Sequence, residues 1–552
     1  MSVALALLLL GVFLTPALPA QTLAERFDQY CRAANEINNF HGAVLVAKDG
    51  EVVFANGYGW ASAQLGVENT AQHKFLIGSI TKSFTAAAIL RLAEAGKLTL
   101  EDKLSKYFDD FPAEVADKVT IHHLLTHTSG VHSYTEITDL MLRRTIAMTP
   151  EEIVDRFKNM PLDFEPGAEW KYSNSGYFLL GLIIEKASGM SYDEYLEEHI
   201  LGPAGMEQTG LAVTEEIVDG MVQGYAVHED ELANAVVIHM SLPFAAGALY
   251  STVADLYRWD RALYGEEILT EASKEKMFTP YKNDYGYGWA ITKLYDRSLV
   301  THSGGIDGFN SMMHRFVDDD VCVVVLSNAT AGQASTVAAS LAAILFDEPY
   351  DVPVKKEPIA ADPSDWDDFT GVYRIDSNEY RVVTMEDDRL YSKRGSGPQF
   401  EIFPEADNKF FFEHDNAVTL TFVRDDAGEV VAHVIHQQGQ DHRAEKLPED
   451  EAAQVMAEMF PPEAEVDPAV YADYVGQYQI APGFILTVRT RDDRIFTQAT
   501  GQQEVEIFPS APDEYFLKVV DAQITFVRGD DGEVESLILH QAGREMPAPK
   551  IE

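Results

Sequence analysis

Cysteine, basic residues and long apolar runs are all scarce in this chain. Only 2 cysteines occur among 552 residues, so neither a disulfide-stapled scaffold nor a cysteine-rich zinc module is available. Lys and Arg number 42 against 89 Asp and Glu, a formal net charge of −47. A field of that sign repels nucleic acid and anionic membrane and excludes both as partners. The acidic excess reads as solvated surface. The longest apolar run, Val3 to Leu14, has 12 residues, short of the ~20 a bilayer requires. Ala17-Leu18-Pro19-Ala20 follows as a small-x-small cleavage pattern, and residues 1–20 read as a secretion signal. No Lys or Arg precedes the run, so the positive start of such a signal is missing. No cysteine follows it, which argues against a lipid anchor. The expectation is an exported chain, periplasmic or secreted, with no integral membrane segment once mature.

Cys322 lies in the strand-like run Val321 to Leu326, and Cys31 in a helical segment, Leu23 to Ile37. Both read as buried free thiols. The chain is 46% hydrophobic, enough for a large core, and its length suggests about three domains at ~100–200 residues each.

Against those absences stand three short constellations. Ser79-Ile80-Thr81-Lys82 precedes an Ala-rich helical run, Ala86 to Ala95. Positions i and i+3 share a helix face, so the Ser79 hydroxyl and the Lys82 ammonium meet at the start of that helix. A serine is a weak nucleophile until a neighbour takes its proton, and free N–H groups at a helix start favour developing negative charge. Tyr172-Ser173-Asn174 stands just before a second helix, and His302-Ser303-Gly304-Gly305 ends a strand run.

The three together resemble the S-x-x-K, S-D-N and K-T-G boxes of the serine β-lactamase and penicillin-binding protein superfamily. Tyr172-Ser173-Asn174 stands in place of S-D-N, and His302-Ser303-Gly304 in place of K-T-G. Both departures are similar to the branch holding class C β-lactamases, D-aminopeptidases, DD-carboxypeptidases and related esterases. Leu124 to Gly130, Ala246 to Thr252 and Tyr285 to Trp289 fit the same branch, and the resemblance covers roughly residues 24–346. It implies an α/β (α+β) catalytic domain, with an antiparallel sheet and a helical subdomain that carries the Tyr-x-Asn.

The resemblance also implies roles. Ser79 is the nucleophile. Lys82, buried beside it, holds a positive charge that lowers the pKa values of Ser79 and Tyr172. Tyr172 is the general base, helped by His302 if that imidazole is protonated, and Asn174 orients Lys82 and the substrate's amide. Gly304 and Gly305 let substrate approach the backbone closely, with the N–H groups of Gly305 and Ser79 as an oxyanion hole. No cofactor and no metal are expected. His127 and His132 read as structural, with no third metal ligand at suitable spacing. The expected function is an exported serine hydrolase acting through an acyl-enzyme on amide or ester bonds of a small molecule or short peptide, of the D-aminopeptidase or DD-peptidase type. A carboxylesterase or β-lactamase of the same fold, or a silent penicillin- or peptide-binding protein, are the alternatives.

Strands are expected at Ala43 to Lys48 and Val52 to Ala55, joined through Asp49-Gly50, and at Val300 to Ser303 and Cys322 to Leu326. Helices are expected over 80–95, 150–158, 175–188 and 191–200. The hydrolase domain takes 21–349 and a Pro-rich linker 350–365. An internal repeat follows at an offset of 104 or 105 residues. Phe369-Thr370-Gly371-Val372-Tyr373 recurs as Tyr474-Val475-Gly476-Gln477-Tyr478, and Glu401-Ile402-Phe403-Pro404 as Glu506-Ile507-Phe508-Pro509. Each copy reads as a small antiparallel β-barrel, 366–447 and 467–552, joined by a linker at 448–466. The pair resembles the lipocalin-like accessory barrels of exported D-aminopeptidases.

Overall fold

A computed structural model describes residues 21–551, apart from 229–230, 331–332, 377–378, 396, 398, 413–414, 438–439, 460–462, 482–483, 501–503, 521, 530 and 542–543. The expected secretion signal, 1–20, lies outside the described residues.

The first unit is built on a six-stranded antiparallel sheet. Its strands are β1 (Gly42–Lys48), β2 (Glu51–Tyr58), β3 (Ala290–Leu294), β4 (Arg297–Ile306), β5 (Phe309–Phe316) and β6 (Val321–Ser327), in the order β3-β4-β5-β6-β1-β2. The β1–β2 hairpin turns at Asp49 (φ 53°) and Gly50 (φ 78°), the two positive φ values that a tight primed turn demands. β1 and β6 are apolar at almost every position because both faces of the sheet are covered. Val44, Val46, Val321, Val323 and Val325 face one core, with helices α1 (Leu23–Asn38) and α4 (Ala334–Phe346). Ala43, Leu45, Ala47, Cys322, Val324 and Leu326 face the other, with α2 (Thr81–Glu94) and α3 (Asn174–Ser188). Cys31 belongs to the first core and Cys322 to the second, so the sheet separates two buried free thiols.

The repeats follow. In the first, eight antiparallel strands from Gly371–Arg374 to Gln440–Lys446 close into a barrel, with Tyr373 of the first strand beside Lys446 of the last. The second keeps the strand order but forms two sheets, of four and five strands. They meet where Ile507 interrupts Val505–Glu506 and Phe508–Ala511, and at a single bridge between Tyr478 and Lys550. Matching hairpins turn on Asp387-Asp388 and Asp492-Asp493, all four at positive φ. The linkers are part of the repeat. Ile359 N–H donates to the Pro404 carbonyl at 3.0 Å, and Ala464 N–H to the Pro509 carbonyl at 2.8 Å. Each linker is thus tied by a backbone hydrogen bond to the copy that follows it.

Candidate active site

Ser79 sits in the turn Gly78–Ile80, immediately before α2. Gly78 there has φ +51°, and a Cβ on it would lie 2.8 Å from the Gly305 nitrogen. A side chain is thus excluded on two counts, backbone conformation and close approach. Gly304 presses on the same turn from β4, where a Cβ would overlap the Ile77 carbonyl oxygen. Gly305 has nothing within 4 Å of where a Cβ would be. The two glycines therefore differ in purpose. Gly304 lets the nucleophile's own loop dock on the sheet, and Gly305 borders open space.

Lys82, the second residue of α2, is fully buried. Its Nζ lies 2.9 Å from Ser79 Oγ, 2.9 Å from Asn174 Oδ1 and 2.7 Å from the Ala246 carbonyl. Burial pushes its pKa well below the ordinary lysine range. Asn174 opens α3, and Ser173 caps that helix by accepting from Gly176 N–H. The Asn174 Nδ2 donates to Thr135 Oγ1 at 3.1 Å, which turns its Oδ1 toward Lys82. Gly288 packs against the Lys82 backbone, where a Cβ would lie 2.7 Å from the carbonyl oxygen. Asn174, Ala246 and Gly288, from three separate stretches of sequence, thus converge on Lys82.

The Tyr172 ring centroid lies 4.8 Å from Lys82 Nζ. The expected lowering of its pKa does not occur. Desolvation pushes the phenol above its usual range, and the nearby Ser79 hydroxyl offsets only part of that. The expected cations are the reason. Lys82 is itself depressed, and His302 is pushed down to about 4 by burial and then by Lys82. His302 is therefore neutral near pH 7. Its Nδ1 is 2.6 Å from the Ser303 carbonyl, an obligate acceptor, so that nitrogen carries the proton and Nε2 accepts from the Tyr285 hydroxyl at 2.8 Å. His302 does not line the cleft. His302 thus lends Tyr172 no positive charge near pH 7, and its neutral ring fastens β4 to Tyr285.

His127 packs beside Tyr172. It is buried, at φ 56°, with Nδ1 accepting from Ser173 N–H at 3.1 Å and its ring 4.2 Å from that of Tyr172. The reading of His132 needs one correction. Glu136 and Asp163 do gather around it, hidden from sequence spacing by the fold. Lys171 Nζ lies 2.8 Å from Glu136 and 2.6 Å from Asp163, so an ammonium already balances those carboxylates.

A cleft of about 390 Å³ opens over Ser79 and Gly305. Its walls include Met141, Ile238, Leu242 and Phe309. Asp307 is its one charged lining residue among the described residues, and Arg144 Nε holds that carboxylate at 2.7 Å. Thr135, Asn310 and Thr330 line it too. Sequence reading missed all of these walls; the run Ser133-Tyr134-Thr135, close after Leu124 to Gly130, was the one available signal.

Residues 27–346 match the beta-lactamase family. The chain belongs to this family, within the superfamily of serine β-lactamases and penicillin-binding proteins. Penicillin-binding protein 4* of Bacillus subtilis is 34% identical over 402 residues, covering 68% of this chain and 88% of that protein. The octameric penicillin-binding protein homologue from Pyrococcus abyssi superposes with a TM-score of 0.55 at 27% identity, over 76% of this chain and 99% of that one. A D-stereospecific amidohydrolase from Streptomyces sp. gives 0.50 at 27% identity, over 57% and 97%. Residues 461–549 match a domain of unknown function, DUF3471.

Proposed function

We propose that this chain is an exported serine hydrolase that acts through an acyl-enzyme on amide or ester bonds, of the D-aminopeptidase or DD-peptidase type. The hydrogen-bond set of Lys82 carries the reading. A neutral lysine has two N–H bonds and one lone pair. The carbonyl oxygens of Asn174 and Ala246 only accept, so they take the two N–H bonds. The lone pair is left for the Ser79 hydroxyl. Lys82, rather than Tyr172, is then the first acceptor of the Ser79 proton as Oγ attacks the substrate carbonyl.

Tyr172 begins as a neutral phenol and gives its proton to the leaving group. The N–H groups of Ser79 and Gly305 receive the oxyanion. In the second half, the Tyr172 phenolate takes a proton from water, and the hydroxide attacks the acyl carbon. Ser79 Oγ then leaves and recovers its proton from Lys82. The apolar walls and the neutralised Asp307 suit an acyl donor with an uncharged, apolar side chain. The amidohydrolase relative brings D-amino-acid amides forward as the first substrates to try. Export rests on residues 1–20.

Mass spectrometry after treatment with a fluorophosphonate and with a penicillin tests the acyl-enzyme. An adduct on Ser79 is expected, together with faster hydrolysis of D- than of L-phenylalanine amide. No adduct at Ser79 with either reagent would sink the hydrolase reading. Turnover of activated esters alone would favour the esterase alternative.

A further inference from the structure

The two repeats share one plan, register for register. A tyrosine hydroxyl donates to the carbonyl four residues earlier in each: Tyr373 to Phe369 at 2.6 Å, Tyr478 to Tyr474 at 2.7 Å. Arg424 pairs with Asp368 at 2.7 Å, and Arg528 with Asp473 at 2.9 Å. Against that constancy, two interior positions differ. Arg381 stands opposite Tyr373, where the second copy has Leu486 opposite Tyr478. His433 stands between Phe422 and Ala444, where the second copy has Leu537 between Phe526 and Ala548. Cross-strand partners share a face of the sheet. Both polar side chains therefore lie on the inner face of the closed barrel, beside the core residues Tyr373 and Phe422.

Neither has the partner its chemistry calls for. His433 is 1% exposed, and neither ring nitrogen has a hydrogen-bond partner. Arg381 donates to Ser392 Oγ at 2.8 Å, but its buried Nε has no partner. The nearby Glu379 is held by Arg394 through two bonds, at 2.8 and 2.7 Å. By contrast Arg315, which is fully buried, meets Asp260 at 2.7 Å. Burial brings Arg381 down to about 10, so it stays charged near pH 7, and that charge helps keep His433 neutral. The second copy builds its core with leucines at both places.

We propose that the first barrel binds a small organic carboxylate, its head on the Nε side of Arg381 next to Ser392 and His433 and its apolar tail against the aromatic inner wall. Nε–H and the neighbouring terminal N–H of a guanidinium form a fork that matches the two oxygens of a carboxylate. A neutral imidazole adds one N–H. Phe412 provides wall 5.9 Å from the guanidinium carbon, and the Tyr373 ring lies 4.8 Å from that of His433. One guanidinium suits a monoanion, and a chain of net charge −47 disfavours more highly charged anions. Peptide C-termini and alkanoic acids both carry such a head.

Calorimetric titration of the full-length protein tests this, with sodium hexanoate, N-acetyl-D-alanine, hexanamide and inorganic phosphate as probes. At least one carboxylate should bind one per chain, and hexanamide should not. Hexanoate alone would identify an alkanoic acid as the source, and N-acetyl-D-alanine alone a peptide C-terminus. Arg381→Leu and His433→Leu should each weaken binding at least tenfold while ester hydrolysis stays at the wild-type rate. Ser79→Ala should bind as wild type does, separating this site from the cleft. Arg381→Gln repeats the test if the leucine variant misfolds. Carboxylates binding no better than hexanamide, or equally to wild type and both Arg381 variants, would overturn the proposal. So would preferential, Arg381-dependent binding of phosphate.

Discussion

Lys82 in the cleft and Arg381 in the first barrel are both cations placed away from water, and they are accommodated in opposite ways. Lys82 faces three oxygens, two of them carbonyls, and no carboxylate is among them. Desolvation drives it toward the neutral amine, which is the form that can accept a proton. Arg381 is also desolvated, yet a guanidinium brought to about 10 is still protonated at neutral pH. The same burial that turns a lysine into a base leaves an arginine in need of an anion. Which outcome follows depends chiefly on the side chain's intrinsic pKa, even though Lys82 is fully buried and Arg381 only partly so.

The sharpest test of the cleft half of this contrast is removal of the nucleophile. Ser79→Ala should lower kcat for an activated ester by on the order of 10⁵- to 10⁶-fold. Its thermal unfolding should hardly change, because the Ser79 hydroxyl does not cap α2. Steady-state turnover near wild type would remove the basis of the mechanism.

Next comes the base. Lys82→Met and Tyr172→Phe should each cost about 10²- to 10⁴-fold, but with different pH behaviour. Lys82 is inactive when protonated, so wild-type kcat/KM should rise with pH through its depressed pKa and then level. Tyr172→Phe should keep that acid limb, and Lys82→Met should lose it. An acid limb that disappears with Tyr172→Phe and survives Lys82→Met would restore the phenol as base.

The glycines give a structural version of the test. Gly304→Ala should damage activity and melting temperature together, since the new methyl displaces the Ile77 backbone. Gly305→Ala should leave melting nearly unchanged and act on KM and kcat alone, because its Cβ meets only open cleft. Equal loss of melting temperature in both would erase the distinction.

Acid sensitivity comes next in size. His302 titrates at about 4 when folded and near 6.5 when unfolded. Between those values the unfolded chain binds the extra proton, so stability falls as pH falls, by about 3 kcal/mol over the window. His433, at about 3, imposes the same sign on the first barrel. The second barrel has Leu537 at that position. Hydrogen exchange at pH 7 and pH 4.5 should show protection falling in the first barrel more than in the second, and His433→Leu should abolish the difference. The smallest effect concerns Arg381→Leu, which without added carboxylate should slightly raise the melting temperature of the first barrel. Destabilisation would mean that Arg381 is paired in solution.

Much was legible in advance for a physical reason. Strands β1 and β6 announce themselves because a sheet covered on both faces needs apolar residues without alternation. The repeat was readable because each hairpin requires its own turn chemistry, and Asp387-Asp388 and Asp492-Asp493 supply it twice. The closure of the first barrel and the interruption of the second at Ile507 were not readable, since both depend on pairings between distant strands. The contacts of Ala246, Thr135 and Gly288 around Lys82 were hidden likewise.

By itself the sequence determined that Ser79 and Lys82 would meet, because three residues along a helix is a local distance. It also determined that Cys31 and Cys322 would be buried, one in a helical segment and the other in an apolar strand run. Protonation states were decided only by tertiary structure. A phenol raised instead of lowered, a neutral His302 and an Arg381 Nε without a partner all follow from which distant segments exclude water. Desolvation is a property of the assembled surroundings, and no spacing within the chain encodes it.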